Sequence, residues 1–312
     1  GTLMMQPVIS FERVTKWFGT QLALDGVSLE IPRGVVFALL GENGAGKTTA
    51  LRIALGLETA DSGDTHVLRL DSKHKGQEIR RRVGYLPERP TLYEWMTVNE
   101  IGWFTAGFYD AEYLPRYRQL AAEFGLPGNR KIKALSKGMR AKVALSLVMA
   151  DEPELMILDE PTSGLDTLVR REFLQSMVDV AATGRTVVLS SHQIGEVERV
   201  ADHVAILHAG RLVVVERLDD LKAQTRQLSL AMHEATPLPE FEGEILTAQR
   251  RGRQWQVAVR NLPEDELHRL RDSDLVYEAE LRPLSLEEIF VAYLQREERS
   301  PPAPSQAEAL LP

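Results

Sequence analysis

A glycine-rich stretch that ends in lysine and threonine, residues 41–48, constrains this chain more than any other feature. It fits the pattern G-x-x-x-x-G-K-[ST], with an apolar run before it and a helix-favouring segment after it. Glycines let successive backbone N–H groups converge on phosphate oxygens, and a helix N-terminus adds partial positive charge. Lys47 would reach the terminal phosphates, and Thr48 would ligate Mg²⁺. The alternative is a glycine-rich turn with an incidental lysine, but the flanking strand and helix favour a nucleoside triphosphate site.

Composition narrows the class of protein. The 312 residues suit one large domain, or a large domain with a small one, and 44% hydrophobic residues can form a substantial core. A net charge of −8 argues against a general nucleic-acid binder, which needs a basic face. There are no cysteines, so disulfides are excluded, and no apolar run approaches the ~18–20 residues of a membrane span. We expect a soluble, cytoplasmic protein whose N-terminal residues 1–6 include a cloning remnant.

Apolar runs that alternate with helical segments define the core of the predicted fold. Three of them, at residues 155–158, 186–189 and 204–207, have the continuous hydrophobicity of strands buried on both faces. Together with the strand before the glycine-rich loop, they predict an α/β fold with a mainly parallel sheet and right-handed crossovers. Strand-like segments within residues 7–31 predict an antiparallel β subdomain at its edge. We expect this core to extend over residues 7–217.

The remaining parts of the chain have other patterns. Residues 90–150, approximately, have helical periodicity with breaks expected near Pro115 and residues 125–128, which predicts an inserted helical subdomain. Residues 226–296 alternate at period two and end in an amphipathic helix, which predicts a small α+β domain. Residues 297–312 are rich in proline, and we expect them to be disordered.

Two carboxylates directly after the run at 155–158 complete the predicted active site. They would lie at the carboxyl edge of the sheet, on the same side as the glycine-rich loop. Asp159 can hold Mg²⁺ through water, and Glu160 can polarise the water that attacks the γ-phosphate. A solvated turn is the alternative. Asp151 and Glu152 form a similar pair, but they follow a helix and are therefore not expected to be catalytic.

The order and spacing of several motifs carry a family resemblance. Ser136 is a natural N-cap for the helix that leads toward the strand at 155–158, which alone is weak evidence for an anion site. In sequence, however, the segments 41–48, 135–138, 155–160, 163–166 and 191–192 resemble those of the ATP-binding cassette (ABC) ATPases. The resemblance covers roughly residues 7–217 and implies a P-loop NTPase core that binds and hydrolyses ATP.

The resemblance implies a role for each matching residue. Glu160 corresponds to the catalytic base, His192 to the switch histidine, and Asp159 to the Mg²⁺-binding carboxylate. Ser136 and Gly138 match the signature loop, which in this family contacts ATP held by a partner subunit, and residues 163–166 match the D-loop at that interface. Residues that match the Walker A loop and bind ATP are Gly41, Asn43, Gly44, Ala45, Gly46, Lys47, Thr48 and Thr49. The ring of Phe18 matches the aromatic that stacks on adenine, with a packed loop aromatic as the alternative.

Two positions depart from the family pattern. Glu88 replaces the glutamine at the lid between the core and the helical subdomain. It can still bind Mg²⁺ through oxygen, but it adds a negative charge near the triphosphate. In the signature loop, Lys137 and Met139 replace a glycine and a glutamine, while Ser136 and Gly138 remain. We expect hydrolysis to survive these changes.

The resemblance also implies partners. Two cassettes, either two copies of this chain or this chain and a homologous ATPase chain, would close around two ATP molecules. A separate polytopic permease would dock on the aromatic-rich segment 90–108 and hold the ATPase at the inner face of the cell membrane. Packing within the helical core is the alternative explanation for these aromatic residues. Residues 283–290 resemble the accessory extension of single-cassette bacterial exporters, which favours export. The alternatives are a soluble ABC-type ATPase that acts on nucleic acid or a protein assembly, and a small-molecule kinase.

Overall fold

The computed structural model describes residues 6–299, and the chain divides into two compact units between Val214 and Val215. Among the helices of residues 6–299, none combines the length and the apolarity that crossing a membrane requires.

The first unit contains an antiparallel sheet and a mainly parallel sheet. Its strands are β1 (Ile9–Phe18), β2 (Gln21–Ile31), β3 (Val36–Leu40), β4 (Ser62–Val67), β5 (Leu70–Asp71), β6 (Val83–Leu86), β7 (Leu155–Leu158), β8 (Thr186–Ser191), β9 (His203–His208) and β10 (Arg211–Arg217), of which β10 crosses the boundary after Val214. The order β2-β1-β4-β5 forms the antiparallel sheet, and the order β10-β9-β3-β8-β7-β6 forms the larger one. Strands β6, β7, β8, β3 and β9 pair in parallel, as predicted from their apolar runs.

Helices connect these strands. They are α1 (Lys47–Ala54), α2 (Ser72–Arg80), α3 (Val98–Ala106), α4 (Tyr113–Glu123), α5 (Lys137–Met149), α6 (Thr167–Ala182) and α7 (Ile194–Val197). Because β3 is fully buried, alternate side chains pack on both faces of the sheet. Phe37 and Leu39 join a core with the antiparallel sheet and with Leu51 of α1, while α6 packs against β3 and β8.

Helices α3, α4 and α5 pack around an apolar core of their own within the first unit. Tyr113 and Tyr117 lie at its centre, and their hydroxyls donate to the carbonyls of Leu147 and Val98, both at 2.7 Å. Burial raises the pKa of both phenols, so both stay neutral. The break predicted near Pro115 lies at residues 107–112, between α3 and α4. Pro115 itself lies in the first turn of α4, where a helix does not use its backbone N–H groups.

The second unit is an α+β domain. It contains α8 (Leu218–Gln224), β11 (Thr225–Met232), β12 (Glu244–Arg251), β13 (Gln254–Arg260), α9 (Glu264–Arg271), β14 (Val276–Pro283) and α10 (Leu286–Arg299). Its strands pair antiparallel in the order β12-β13-β11-β14. Leu228 and Val257 are fully buried in its core. The unit therefore has a hydrophobic core of its own.

Two predicted boundaries differ from the structure. The second unit begins at Val215 rather than at 226, because α8 belongs to it. Disorder was predicted from residue 297, but α10 continues to Arg299, since its apolar face remains packed through Tyr293 and the polar residues beyond it extend the same helix. The rest of the predicted tail, residues 300–312, lies outside the described residues, as do residues 1–5.

Replacing Gly102 by alanine should destabilise the helical subdomain. A Cβ at this position of α3 would lie 2.0 Å from Cε1 of Tyr117, whose ring is buried and hydrogen-bonded. We expect a loss of about 1–3 kcal/mol in the free energy of unfolding, measured by hydrogen exchange of α3 and α4. Gly107→Ala is the matched control, because its Cβ would meet only the carbonyl oxygen of Phe104 at 3.3 Å. Equal protection in the two variants would contradict the steric argument.

Glu288 at the start of α10 should make the stability of the second unit depend on pH. The Arg282 guanidinium, 2.9 Å away, and the backbone N–H of Ser285, at 2.8 Å, lower the pKa of Glu288 from 4.5 to about 2. A depressed pKa stabilises the fold above pH 4.5, and this contribution is lost as the pH falls toward 2.

Glu288→Gln should therefore lower the protection of α10 at pH 7 by less than about 1 kcal/mol, because the pair is partly exposed. The deficit should shrink as the pH falls below 4.5. Hydrogen exchange at several pH values measures it. Glu287→Gln, in the same turn, is the control, because Glu287 has no ion pair within residues 6–299. A deficit independent of pH would contradict the assignment.

Candidate functional site

The loop between β3 and α1 is shaped by two glycines that no other residue could replace. Gly46 precedes α1 with a left-handed φ of 107°, and a Cβ there would lie 2.5 Å from the carbonyl oxygen of Ala23. A Cβ on Gly41 would lie 2.5 Å from the carbonyl oxygen of Leu207. No side chain caps α1. The first N–H groups of the helix therefore face the loop, which is the arrangement that binds phosphate.

Lys47 is the buried cation of the site. Only 5% of its surface is exposed. Its ammonium donates to the carbonyls of Gly41, at 2.6 Å, and Glu42, at 3.0 Å. Oε1 of Glu160 lies 3.1 Å from Nζ of Lys47. This contact is an ion pair, because Oε1 accepts no hydrogen bond within residues 6–299. Lys47 thus ties the loop to the end of β7.

Strand pairing brings the carboxylates to this loop. Leu40 is aligned with Ser191 across β3 and β8, and Leu158 with Leu189 across β8 and β7. Asp159 follows at the end of β7, and its Oδ1 accepts a hydrogen bond from the Thr48 hydroxyl at 3.1 Å. The predicted proximity of the loop and the carboxylate is therefore present in the structure.

Ser190 fixes both carboxylate residues, and the sequence analysis did not identify it. Its buried hydroxyl donates to Oδ1 of Asp159 at 2.7 Å and accepts from the backbone N–H of Glu160 at 2.8 Å. A polar residue that ends an apolar strand beside another strand-end carboxylate is the signal that could have revealed it.

Glu160 and His192 meet at the edge of the sheet. Glu160 has a left-handed φ of 46°, which is uncommon for a residue with a side chain. Its Oε2 lies 2.7 Å from Nδ1 of His192, so a proton on Nδ1 would be donated to the carboxylate. The carboxylate of Glu160 is therefore held between an ammonium and an imidazole.

Lys47, Thr48, Glu160 and His192 line one cavity of about 500 Å³, whereas Asp159 and Ser190 lie outside its lining. The side chain of Phe18 lines it with 47% of its surface exposed, which excludes a role as a packed core residue. Glu88 also lies in its wall. Further lining residues are Gln21, Ala23, Asn43, Gly44, Gly46, Thr49 and Ser163. Gln21 and Ala23 were not predicted to line the site, and Ser163 was predicted only as part of the D-loop.

Ser136 and Gly138 do not line this cavity. Ser136 caps α5 as predicted, and its hydroxyl accepts from the N–H of Met139 at 3.2 Å. Gly138 is buried, and its Cβ would lie 3.0 Å from Val169 of α6, so packing alone accounts for a glycine there. Lys137 is exposed at the start of α5.

The oxygen atoms around Thr48 and Asp159 fit a magnesium ion. Mg²⁺ in nucleotide sites is held by one or two protein oxygens, phosphate oxygens and water. Within residues 6–299 there is no cluster of three or more histidine or carboxylate side chains that could hold a metal. Burial, aided by the charge of Asp159, raises the pKa of Tyr85 on the adjacent strand and keeps this phenol neutral.

Removing the Ser190 hydroxyl should destabilise the edge of the sheet. Ser190→Ala would leave the N–H of Glu160 without its partner in a buried position. We expect a loss of about 1–3 kcal/mol in the free energy of unfolding, measured by hydrogen exchange of β7 and β8. Ser176→Ala, which removes a hydroxyl from the surface of α6, should change it by less than about 0.5 kcal/mol. Similar values for both variants would contradict the role assigned to Ser190.

Comparison with known proteins agrees with this geometry. Residues 24–163 match the profile of the ABC transporter family. YhaQ of Bacillus subtilis, an uncharacterized ABC transporter ATP-binding protein, is 30% identical over 293 residues, which cover 91% of this chain and 97% of YhaQ. The Nod factor export ATP-binding protein I of Ralstonia nicotianae is 29% identical over 323 residues, which cover 94% and 95% of the two chains.

Solved structures give the same result. The structure of an ATP-binding subunit of an ABC transporter is similar with a TM-score of 0.63 and 33% identity, over 69% of this chain and 92% of that chain. The family predicted from the motifs is thereby confirmed. The chain belongs to the ABC transporter ATP-binding proteins, and it is the subunit that binds and hydrolyses ATP for such a transporter.

Proposed function

We propose that Glu160, His192 and Lys47 are the groups that carry out ATP hydrolysis. Glu160 accepts a proton from the attacking water, His192 orients that water and the γ-phosphate, and Lys47 balances the charge that develops on the phosphate oxygens. The observation that carries this proposal is the position of the Glu160 carboxylate, 3.1 Å from Nζ of Lys47 and 2.7 Å from Nδ1 of His192.

The nucleotide would bind across the cavity between the glycine-rich loop and β1. The ring of Phe18 is exposed at the rim, where it can stack on adenine. The backbone of residues 41–49 binds the phosphates. Thr48 and Asp159 would hold Mg²⁺, with Glu88 as a further oxygen ligand, and the ion would supply positive charge to the bound phosphates.

Two chains would enclose each nucleotide. Ser136 and Gly138 lie outside the cavity that contains Lys47, so a phosphate contact from the start of α5 requires a second copy or a homologous ATPase chain. Closure of the pair around ATP and its opening after hydrolysis would drive the transport cycle.

A surface of the helical subdomain would receive the permease. Tyr93, Trp95, Trp103, Phe104 and Phe108 have between 37% and 75% of their surface exposed, and the rings of Tyr93, Phe104 and Phe108 pack edge to face. Exposed aromatic clusters of this kind are typical of protein interfaces. Docking there would place the ATPase at the inner face of the membrane. The relative that is named for Nod factor export supports an export direction.

Replacing the proposed base tests the mechanism. Glu160→Gln should lower kcat for ATP hydrolysis by about 100-fold or more while ATP binding persists. With Mg-ATP, the variant should accumulate as a dimer, measured by light scattering after gel filtration. Glu154→Gln is the control, because Glu154 pairs with Arg33 and Arg82 away from the cavity.

Two results would contradict these proposals separately. A Glu160→Gln variant that hydrolyses ATP at the wild-type rate would exclude Glu160 as the base. An inactive variant that remains monomeric with saturating Mg-ATP, alone and together with its membrane chain, would exclude the enclosed dimer.

A further inference from the structure

The ion pair between Arg170 and Glu196 links two segments that each contact Glu160, namely α7 with the residues before it and the turn at residues 163–166. Nη1 of Arg170, on α6, lies 2.5 Å from Oε1 of Glu196, on α7. Nη2 of the same guanidinium donates to the carbonyl of Leu165 at 2.7 Å. One side chain therefore holds both α7 and the turn at residues 163–166.

The two segments are also connected through Glu160 itself. The N–H of Ser163 donates to the carbonyl of Glu160 at 3.1 Å, on the side of the turn. On the other side, His192 precedes α7 and contacts the Glu160 carboxylate at 2.7 Å. The contacts thus form a closed ring, from Glu160 through the turn, Arg170, Glu196 and His192 back to Glu160.

Because α7 is packed in place, a restraint on Glu196 by Arg170 also restrains the rest of α7. Although α7 is only one turn long, its Ile194 and Val197 are buried, at 7% and 1% exposure. A displacement of Glu196 would therefore move the whole turn, including the residues that join it to His192, rather than be absorbed by a loose loop.

Arg170 is the fourth residue of α6, near the positive end of the helix dipole. Two carboxylates supply negative charge near it: Asp166, the N-cap of α6, and Glu196 on α7. Of the two, Glu196 is the one that joins α6 to another element.

The ion pair uses only part of its bonding capacity. Nε of Arg170 and Oε2 of Glu196 are buried, and neither has a hydrogen-bond partner within residues 6–299. Arginine and carboxylate can form two parallel hydrogen bonds, and an unpaired buried polar atom is unfavourable. A second parallel bond beside Nη1 would have to come from Nη2, which already donates to the carbonyl of Leu165, so the guanidinium divides its donors between α7 and the 163–166 turn.

We propose that the Arg170–Glu196 pair is a positioning element for hydrolysis, which sets His192 relative to Glu160 by clamping α7 to the 163–166 turn. This inference rests on the proposed roles of Glu160 and His192. Because the same turn is proposed to face the second chain, the clamp would connect closure of the pair to the position of His192.

Three variants of the full chain test the clamp with Mg-ATP as the substrate. Arg170→Lys keeps the charge but replaces the planar guanidinium, which binds Glu196 through Nη1 and Leu165 through Nη2, by a shorter side chain with one nitrogen. Glu196→Gln keeps the shape and removes the charge. The exchange Arg170→Glu with Glu196→Arg restores an ion pair, but a carboxylate at 170 cannot donate to the carbonyl of Leu165. Arg171→Lys, at the exposed neighbouring position, is the control.

We expect Arg170→Lys and Glu196→Gln to lower kcat about tenfold, with KM for ATP changed less than about twofold. The exchange should recover the Tm lost in the single variants without recovering kcat. Arg171→Lys should match the wild type in both. A merely structural pair would give a kcat that follows Tm across the series, and recovery of kcat in the exchange would overturn the proposal.

The experiments on the Arg170–Glu196 pair and on Glu160 can fail independently of each other. If Glu160→Gln is inactive while Arg170→Lys and Glu196→Gln keep the wild-type kcat, the clamp is wrong and the hydrolysis mechanism stands. If Glu160→Gln keeps full turnover, the mechanism itself is wrong, whatever the clamp variants show.

Discussion

Parallel pairing between β3, β8 and β7 brings together groups that are far apart along the chain. Their shared carboxyl edge places the glycine-rich loop, the pair Asp159 and Glu160, and His192 side by side. The register matters as much as the order, because a slip of one residue would turn a strand's side chains to the other face. The buried apolar strands therefore do more than form a core: their alignment determines which polar groups meet where they end.

Burial of charge is the second constraint on this edge. Lys47, Asp159 and Glu160 are exposed by only 5%, 2% and 8%. Removing charged groups from water is unfavourable unless each finds opposite charge and hydrogen bonds. Carbonyl oxygens, the Ser190 hydroxyl and the Lys47–Glu160 contact supply these partners. The carboxylates outnumber the single ammonium, which makes the edge suited to an additional cation.

The parts of this molecule that are encoded locally were predictable from the sequence. A glycine-rich loop between a strand and a helix has a pattern of its own, and continuous apolar runs indicate buried parallel strands, so the family and the fold class follow and are confirmed. The individual roles of the site residues stay predictions, although the structure brings most of them to one cavity.

What could not be predicted depends on long-range geometry. Ser190 has a role only because β8 lies beside β7, and Arg170 meets Glu196 only after α6 and α7 have packed. Pro115 predicts a helix break nearby, but the break lies at residues 107–112, and the proline is tolerated in the first turn of α4. In each case the sequence identifies the residue type, but it does not show which other elements the residue contacts in the fold.

The separate core of the helical subdomain has a mechanical consequence. Tyr113 and Tyr117 bind α3, α4 and α5 into a stiff block, and the chain enters this block through a segment that contains Pro87 and Pro90. A block that is rigid within itself transmits a push applied at one end to the other end with little loss. If the permease docks on this subdomain as proposed, its force would arrive at the start of α5 as a tilt rather than as a local deformation.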